Sequence, residues 1–175
     1  MRTWRTTIAV IGALALGLVA NNAWAGKLKR LSDTELVHFE ALKVWFVDGE
    51  EKEYLKGKTE EERSTWLKDR GYWDRFYQYD QLKREQIAAG QVGVGWTYDQ
   101  VYMAWGEPHA KKRMAGRPAT RSELYIYRFE VDWTGATHVW TPNSKLTRTA
   151  IELFQLDVYV DDGRVAEIVR KEDWE

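Results

Sequence analysis

The sequence has no cysteine, three prolines, three histidines and almost no net charge: 26 Lys and Arg stand against 27 Asp and Glu in 175 residues. Without cysteine there are no disulfides, thiolate zinc sites, cysteine nucleophiles or acylated N-terminal cysteine. A formal charge of −1 lacks the basic excess by which nucleic-acid binders neutralise phosphates. After residue 20 no apolar run approaches the roughly 20 residues that a membrane-spanning helix needs. Aromatics are plentiful: ten Trp, nine Tyr and five Phe make up 14% of the chain, and 44% of all residues are hydrophobic. Such a chain is too apolar for disorder and long enough for one core.

The N-terminus reads as an export signal. Arg2 and Arg5 precede the uncharged stretch Ile8 to Ala20, and Ala23-Trp24-Ala25 places small residues where a signal peptidase reads. The stretch is short for a spanning helix. The expected product is therefore a bacterial periplasmic or secreted protein that starts at Gly26, with an uncleaved N-terminal anchor as the alternative. Loss of residues 1–25 removes two cations and leaves a net charge of −3.

Residues 26–89 read as a helical extension and 90–175 as an α+β module, packed together as one unit. Ser32-Asp-Thr-Glu35 and Thr59-Glu-Glu-Glu62 are capping boxes, in which hydroxyl and carboxylate satisfy each other's backbone N–H groups. The first helix continues through Leu36, Phe39 and Leu42 at helical spacing, and the second through Trp66 and Leu67. A third helix is expected from Tyr72 to Ile87, capped by Gly90. Gly90 to Gly95 has the spacing G-x-x-G-x-G, the wrong order for a dinucleotide loop. Thr97-Tyr-Asp-Gln100 opens a short helix that Gly106-Glu-Pro108 stops.

Beyond it, Tyr125, Tyr127, Phe129, Val131 and Trp133 alternate with Ile126, Arg128, Glu130 and Asp132, which predicts a strand with one aromatic and one mostly polar face. Ile151 to Val160 and Val165 to Val169 flank Asp161-Asp162-Gly163, a hairpin signal. Thr141-Pro-Asn-Ser144 is a turn whose flanks, Thr137 to Trp140 and Lys145 to Arg148, are expected to extend a hairpin beyond the sheet. The expected fold is α+β: N-terminal helices, a short capped helix, and a three- or four-stranded antiparallel sheet with helices on its aromatic face. Trp73, Phe76, Tyr77, Tyr79, Trp96 and Trp105 belong between the layers with Tyr125, Tyr127 and Phe129. Outer loops, not an internal cleft, would then meet partners.

Gly95-Trp-Thr-Tyr-Asp99, followed by Gly106-Glu-Pro108, resembles the GWxTD-domain envelope proteins; Leu31 to Glu35, Thr59 to Trp66 and Ser122 to Tyr127 resemble that family's helical lead-in and acidic-aromatic strand. Thr97 stands one place early, and Tyr98 occupies the family's Thr position. Over residues 90–170 the order Gly95, Thr97, Gln100-Val101, Gly106-Glu-Pro108, Tyr125-Ile-Tyr127 and Asp161 to Val165 is also similar to the small outer-membrane assembly lipoproteins of the SmpA/OmlA (BamE) type. There is no lipobox cysteine, so a lipid anchor is not implied. Both resemblances imply a scaffold that touches other envelope components, and neither carries a catalytic residue across.

Chemistry-bearing patterns are sparse. His38, read as a surface or boundary residue, His109 and His138 form no H-x-x-x-H or H-E-x-x-H motif. Asp157, Asp161 and Asp162 lack EF-hand spacing. Ser32, Ser64, Ser122 and Ser144 lie in no nucleophile motif. Glu123, Glu130 and Glu152 are carboxylates with no spacing that defines a glycosidase pair. No catalytic residue, metal or cofactor is expected.

Two features suit binding. Lys111, Lys112, Arg113, Arg117 and Arg121 place five cations in eleven residues with no acid among them, suited to an acidic envelope protein or anionic lipid headgroups; the alternative is a solvated loop paired with Glu60, Glu61 and Glu62. Trp140, on the proposed hairpin, is a candidate interface anchor or a packed sheet-edge residue. The resulting expectation is a non-catalytic envelope scaffold or interaction module. A secreted enzyme inhibitor that inserts the Thr141–Ser144 loop is the alternative.

Overall fold

The computed structural model describes residues 25–172 and Trp174; the export-signal stretch lies outside the described residues. In chain order come α1 (Ala25–Leu28), α2 (Asp33–Leu42), a 3-10 turn (Lys43–Trp45), α3 (Glu50–Tyr54), α4 (Glu60–Asp69), α5 (Tyr72–Tyr77), α6 (Gln81–Ala88) and α7 (Tyr98–Trp105). Then follow β1 (Ala110–Met114), β2 (Ser122–Val131), β3 (Thr137–Val139), a 3-10 turn (Leu146–Arg148), β4 (Glu152–Asp161) and β5 (Arg164–Lys171). All strand pairs are antiparallel, in the order β1-β2-β4-β5, and β3 adds to β2 beyond β1. The fold is α+β, with the helices N-terminal and a five-stranded sheet C-terminal.

Local chemistry sets most of the boundaries. Ser32 with Glu35, and Thr97 with Gln100, close complete capping boxes on α2 and α7. Thr59 caps α4 by accepting from the Glu62 N–H, but the Glu62 carboxylate reaches the Lys58 N–H instead of closing the box. The helix expected from Tyr72 to Ile87 is two helices: Asp80 accepts from the Lys83 N–H at 2.8 Å and starts α6 afresh. Gly90, at φ 65°, ends α6 with the Gln91 N–H donating to the Gln86 carbonyl. Asp162 and Gly163, at φ 49° and 80°, form the two-residue turn between β4 and β5.

α7 is the centre of the molecule. Its residues Gln100 to Trp105 are all buried, with α2 and α6 on one side and the sheet on the other. The Trp105 ring meets Tyr127 and Phe129 edge-on at 5.1 and 5.2 Å, and its indole N–H donates to the Gly90 carbonyl at 2.7 Å. One apolar cluster runs from Leu28 and Phe39 through Leu67, Phe76 and Ile87 to the sheet residues Tyr127, Phe154 and Leu156. The Gly95–Thr97 segment docks on β5: the Gly95 N–H donates to the Val165 carbonyl and the Val165 N–H to the Trp96 carbonyl.

Three expectations are corrected. His38 is buried, not at the surface; its Nε2 shares a 2.8 Å hydrogen bond with the Tyr77 hydroxyl, and burial lowers its pKa. Trp133 does not extend the aromatic face: β2 ends at Val131, and Trp133 stands 81% exposed in the following turn. The polar face is not solvated, because Glu130, Gln155 and Asp157 are buried.

Two results follow from this packing. Trp105→Ala should cost about 3–5 kcal/mol in urea unfolding, and Trp105→Phe, which leaves the Gly90 carbonyl without its donor, about 1–3 kcal/mol. Arg63 on α4 bonds Glu35 on α2 at 2.5 Å, both buried, and donates to the Gly57 carbonyl at 2.6 Å. Burial raises the Glu35 pKa, but Arg63 and Ser32 outweigh it and leave it below 4.5. A depressed carboxyl pKa stabilises the fold above the unfolded value. Urea titrations should therefore show this contribution intact above pH 4.5 and draining as pH falls below it, and Glu35→Gln should abolish that pH dependence.

Candidate functional site

β2 bonds β4 along one side, and its other side is shared by two short pieces, β1 and β3. The Trp140 N–H donates to the Arg128 carbonyl at 2.8 Å, and the Asp132 N–H to the Ala136 carbonyl at 2.9 Å. These pairs lie two positions either side of Glu130–His138. Bonded pairs alternate along an antiparallel ladder, so the backbone groups of Thr137 and Val139 point away from β2. The same alternation, fixed by the Asp162 N–H to Arg121 carbonyl bond across β4 and β2, turns the backbone of Lys111 and Arg113 outward from β1. The sheet therefore ends on a two-piece edge.

The first part of the expected basic loop, 109–121, is strand β1, Ala110–Met114. Lys111 reaches across Tyr102 at 4.8 Å and donates to the Tyr98 hydroxyl at 3.3 Å. Arg117 binds Asp161 through bonds of 2.9, 3.0 and 2.8 Å and lies over the Tyr159 ring. Arg121 pairs with Glu123 at 2.9 Å. Neither arginine turns to Glu60, Glu61 or Glu62, which sit in the first turn of α4; local strand neighbours are nearer than a helix on another layer. Lys112 and Arg113 are exposed and make no ion pair among the described residues.

Trp140 does not project. Its ring meets His109 and Trp174 edge-on at 5.2 Å each, Arg128 lies 5.7 Å from its centroid, and its N–H donates to the Thr147 hydroxyl at 3.2 Å. The hydroxyls of Ser144 and Thr147 both donate to the buried Glu130 carboxylate, the former at 2.5 Å. This clamp folds residues 140–150 back over the sheet, so the expected free hairpin becomes β3 and a pinned return.

Between the helical layer and β3 lies a cleft of about 680 Å³. Phe46 and Glu51 line it from the helical part of the chain, Trp105 and Glu107 from the end of α7 and the turn after it, and β3 with Trp140 from the sheet. This differs from the expected absence of an internal cleft. Three segments distant in sequence meet here, and no motif announces them. Glu40 is paired with Lys43 and His138 with Asp132 at 2.9 Å, whereas Glu51 and Glu107 are exposed with no ion pair among the described residues. Burial, with Arg128 nearby, lowers the His109 pKa below its ordinary 6.5 and favours the neutral ring. Among the described residues no three His, Asp, Glu or Cys side chains converge in the manner of a metal site.

Glu130→Ala should release residues 141–150. Iodide quenching of Trp140 fluorescence should rise, and urea unfolding should show a loss of about 1–3 kcal/mol from the broken buried hydrogen bonds.

No protein-family model, curated protein or solved structure matches this chain.

Proposed function

We propose that the chain is a non-catalytic exported bacterial envelope protein, a scaffold or interaction module that acts in the periplasm or at the outer membrane through its open sheet edge. The observation that carries this reading is the β1 edge, where the backbone of Lys111 and Arg113 faces outward and the charges of Lys112 and Arg113 meet no ion-pair partner among the described residues. Lysine on an edge strand also discourages edge-to-edge aggregation, so the same residues admit an acidic partner while repelling another copy of β1. The export-type start at residues 1–25 and the resemblance to GWxTD-domain and SmpA/OmlA-type proteins support the cellular setting. The described helices include none long and apolar enough to cross a membrane, which agrees with attachment by contact. The partner is an acidic envelope protein; anionic headgroups are the competing ligand for the same charges.

Lys112→Glu with Arg113→Glu should abolish crosslinking of the exported chain to its partner in native envelopes, and added salt should weaken the wild-type contact. Unchanged crosslinking removes this site. Equal retention of wild type on vesicles containing phosphatidylglycerol, with no protein crosslink, assigns the charges to lipid instead.

A further inference from the structure

We propose that the cleft beside β3 binds a short, extended, basic segment of a partner protein by adding it as a strand to the open edge of β3. Thr137 and Val139 each present on that edge a donor and an acceptor that no described residue uses, and the cleft of about 680 Å³ borders β3 on one side and helical residues on the other. Strand addition draws affinity from such backbone groups and specificity from pockets for alternate side chains. Apolar lining is here: Phe46, Trp105 and Trp140 all border the cleft, and aromatic rings are favoured anchors for an inserted side chain.

Charge selects the occupant. Among the described residues, Glu40, Glu51 and Glu107 line the cleft against one Lys or Arg, Lys43, which is already bonded to Glu40. A ligand that lays Lys or Arg along the rim meets Glu51 and Glu107, which no basic side chain among the described residues satisfies. An acidic ligand would meet repulsion in the same place. The cleft is thus opposite in sign to the β1 half of the edge, and the two halves take different parts of a partner or different partners. This rests on the reading of the chain as an interaction module, but it concerns residues that the β1 contact does not use.

The probe is a fluorescein-labelled octapeptide of alternating valine and lysine, compared with its valine–glutamate counterpart and with a valine–lysine peptide N-methylated at alternate backbone positions. Fluorescence anisotropy with the purified chain should give saturable binding of the first and at least tenfold weaker binding of the other two. Glu51→Gln with Glu107→Gln should weaken the first at least tenfold, while Lys112→Glu with Arg113→Glu should not weaken it. Amide exchange at Thr137 and Val139 should slow at least tenfold on binding, with His138 already protected by its bond to β2. Equal binding of the methylated peptide would mean that a ligand other than a strand fills the cleft, and would overturn the proposal. So would equal binding of the glutamate peptide, unchanged exchange at Thr137 and Val139, or binding seen only after residues 1–25 are removed, which would make the chain's own N-terminal segment the occupant. Each of these outcomes leaves the module reading standing, because that reading is tested separately by crosslinking through Lys112 and Arg113.

Discussion

Everything in this molecule depends on α7 being buried from two sides. A helix with Gln100 to Trp105 all inside cannot belong to the sheet layer alone or to the helical layer alone; it is the surface on which each is built. Trp105 makes the junction specific. Its ring fills the space over Tyr127 and Phe129, and its one polar atom answers the carbonyl of Gly90, where the helical half ends. A tryptophan carries a large apolar area and one donor that must be answered when buried, and both are used. A boundary at residues 89–90 is therefore visible in composition but not in packing. Detached from α2 and α6, α7 would expose the apolar side chains that hold it in place.

The parts of the fold that a sequence reader finds are those fixed by near neighbours. Ser32 with Glu35, Thr97 with Gln100, Gly90 and Asp162-Gly163 all act over five residues or fewer, and each stands where its local chemistry places it. One misreading is local: Asp80 is a competent cap, but Trp73, Phe76 and Tyr77 before it and Leu82 and Ile87 after it read as one uninterrupted helix. The others involve distant partners. Ala110 to Met114 carries three consecutive cations and no alternation, and becomes a strand because the edge of β2 needs a hydrogen-bonding neighbour. Glu130 looks solvent-facing by period until Ser144 and Thr147, more than ten residues away, arrive to bond it.

The candidate site divides the same way. The basic residues are legible as a cluster, but which of them are free depends on the sheet: Arg117 and Arg121 fasten the β1–β2 connection to Asp161 and Glu123, Lys111 lies on the Tyr98 and Tyr102 rings, and Lys112 and Arg113 are left with neither kind of partner among the described residues. The cleft was not legible at all, since it takes Phe46 and Glu51 from the helical layer, Trp105 and Glu107 from the end of α7, and the backbone of β3 from a three-residue strand. Its acidity against the basicity of β1 gives one continuous sheet edge two electrostatic characters.

The tight turn at Asp162-Gly163 has a consequence for how the chain reaches this state. It makes β4–β5 the most sequence-local pairing in the sheet, whereas β2 meets β4 only after the twenty residues from 132 to 151 have been drawn into a loop. Closing a longer loop costs more entropy, by about 0.6 kcal/mol for each doubling in length, and contacts close in sequence form sooner. By the same count the connections from β1 to β2 (115–121) and from β2 to β3 (132–136) are also short, so the sheet consists of two locally closed halves, and joining β2 to β4 is the costliest loop closure in it.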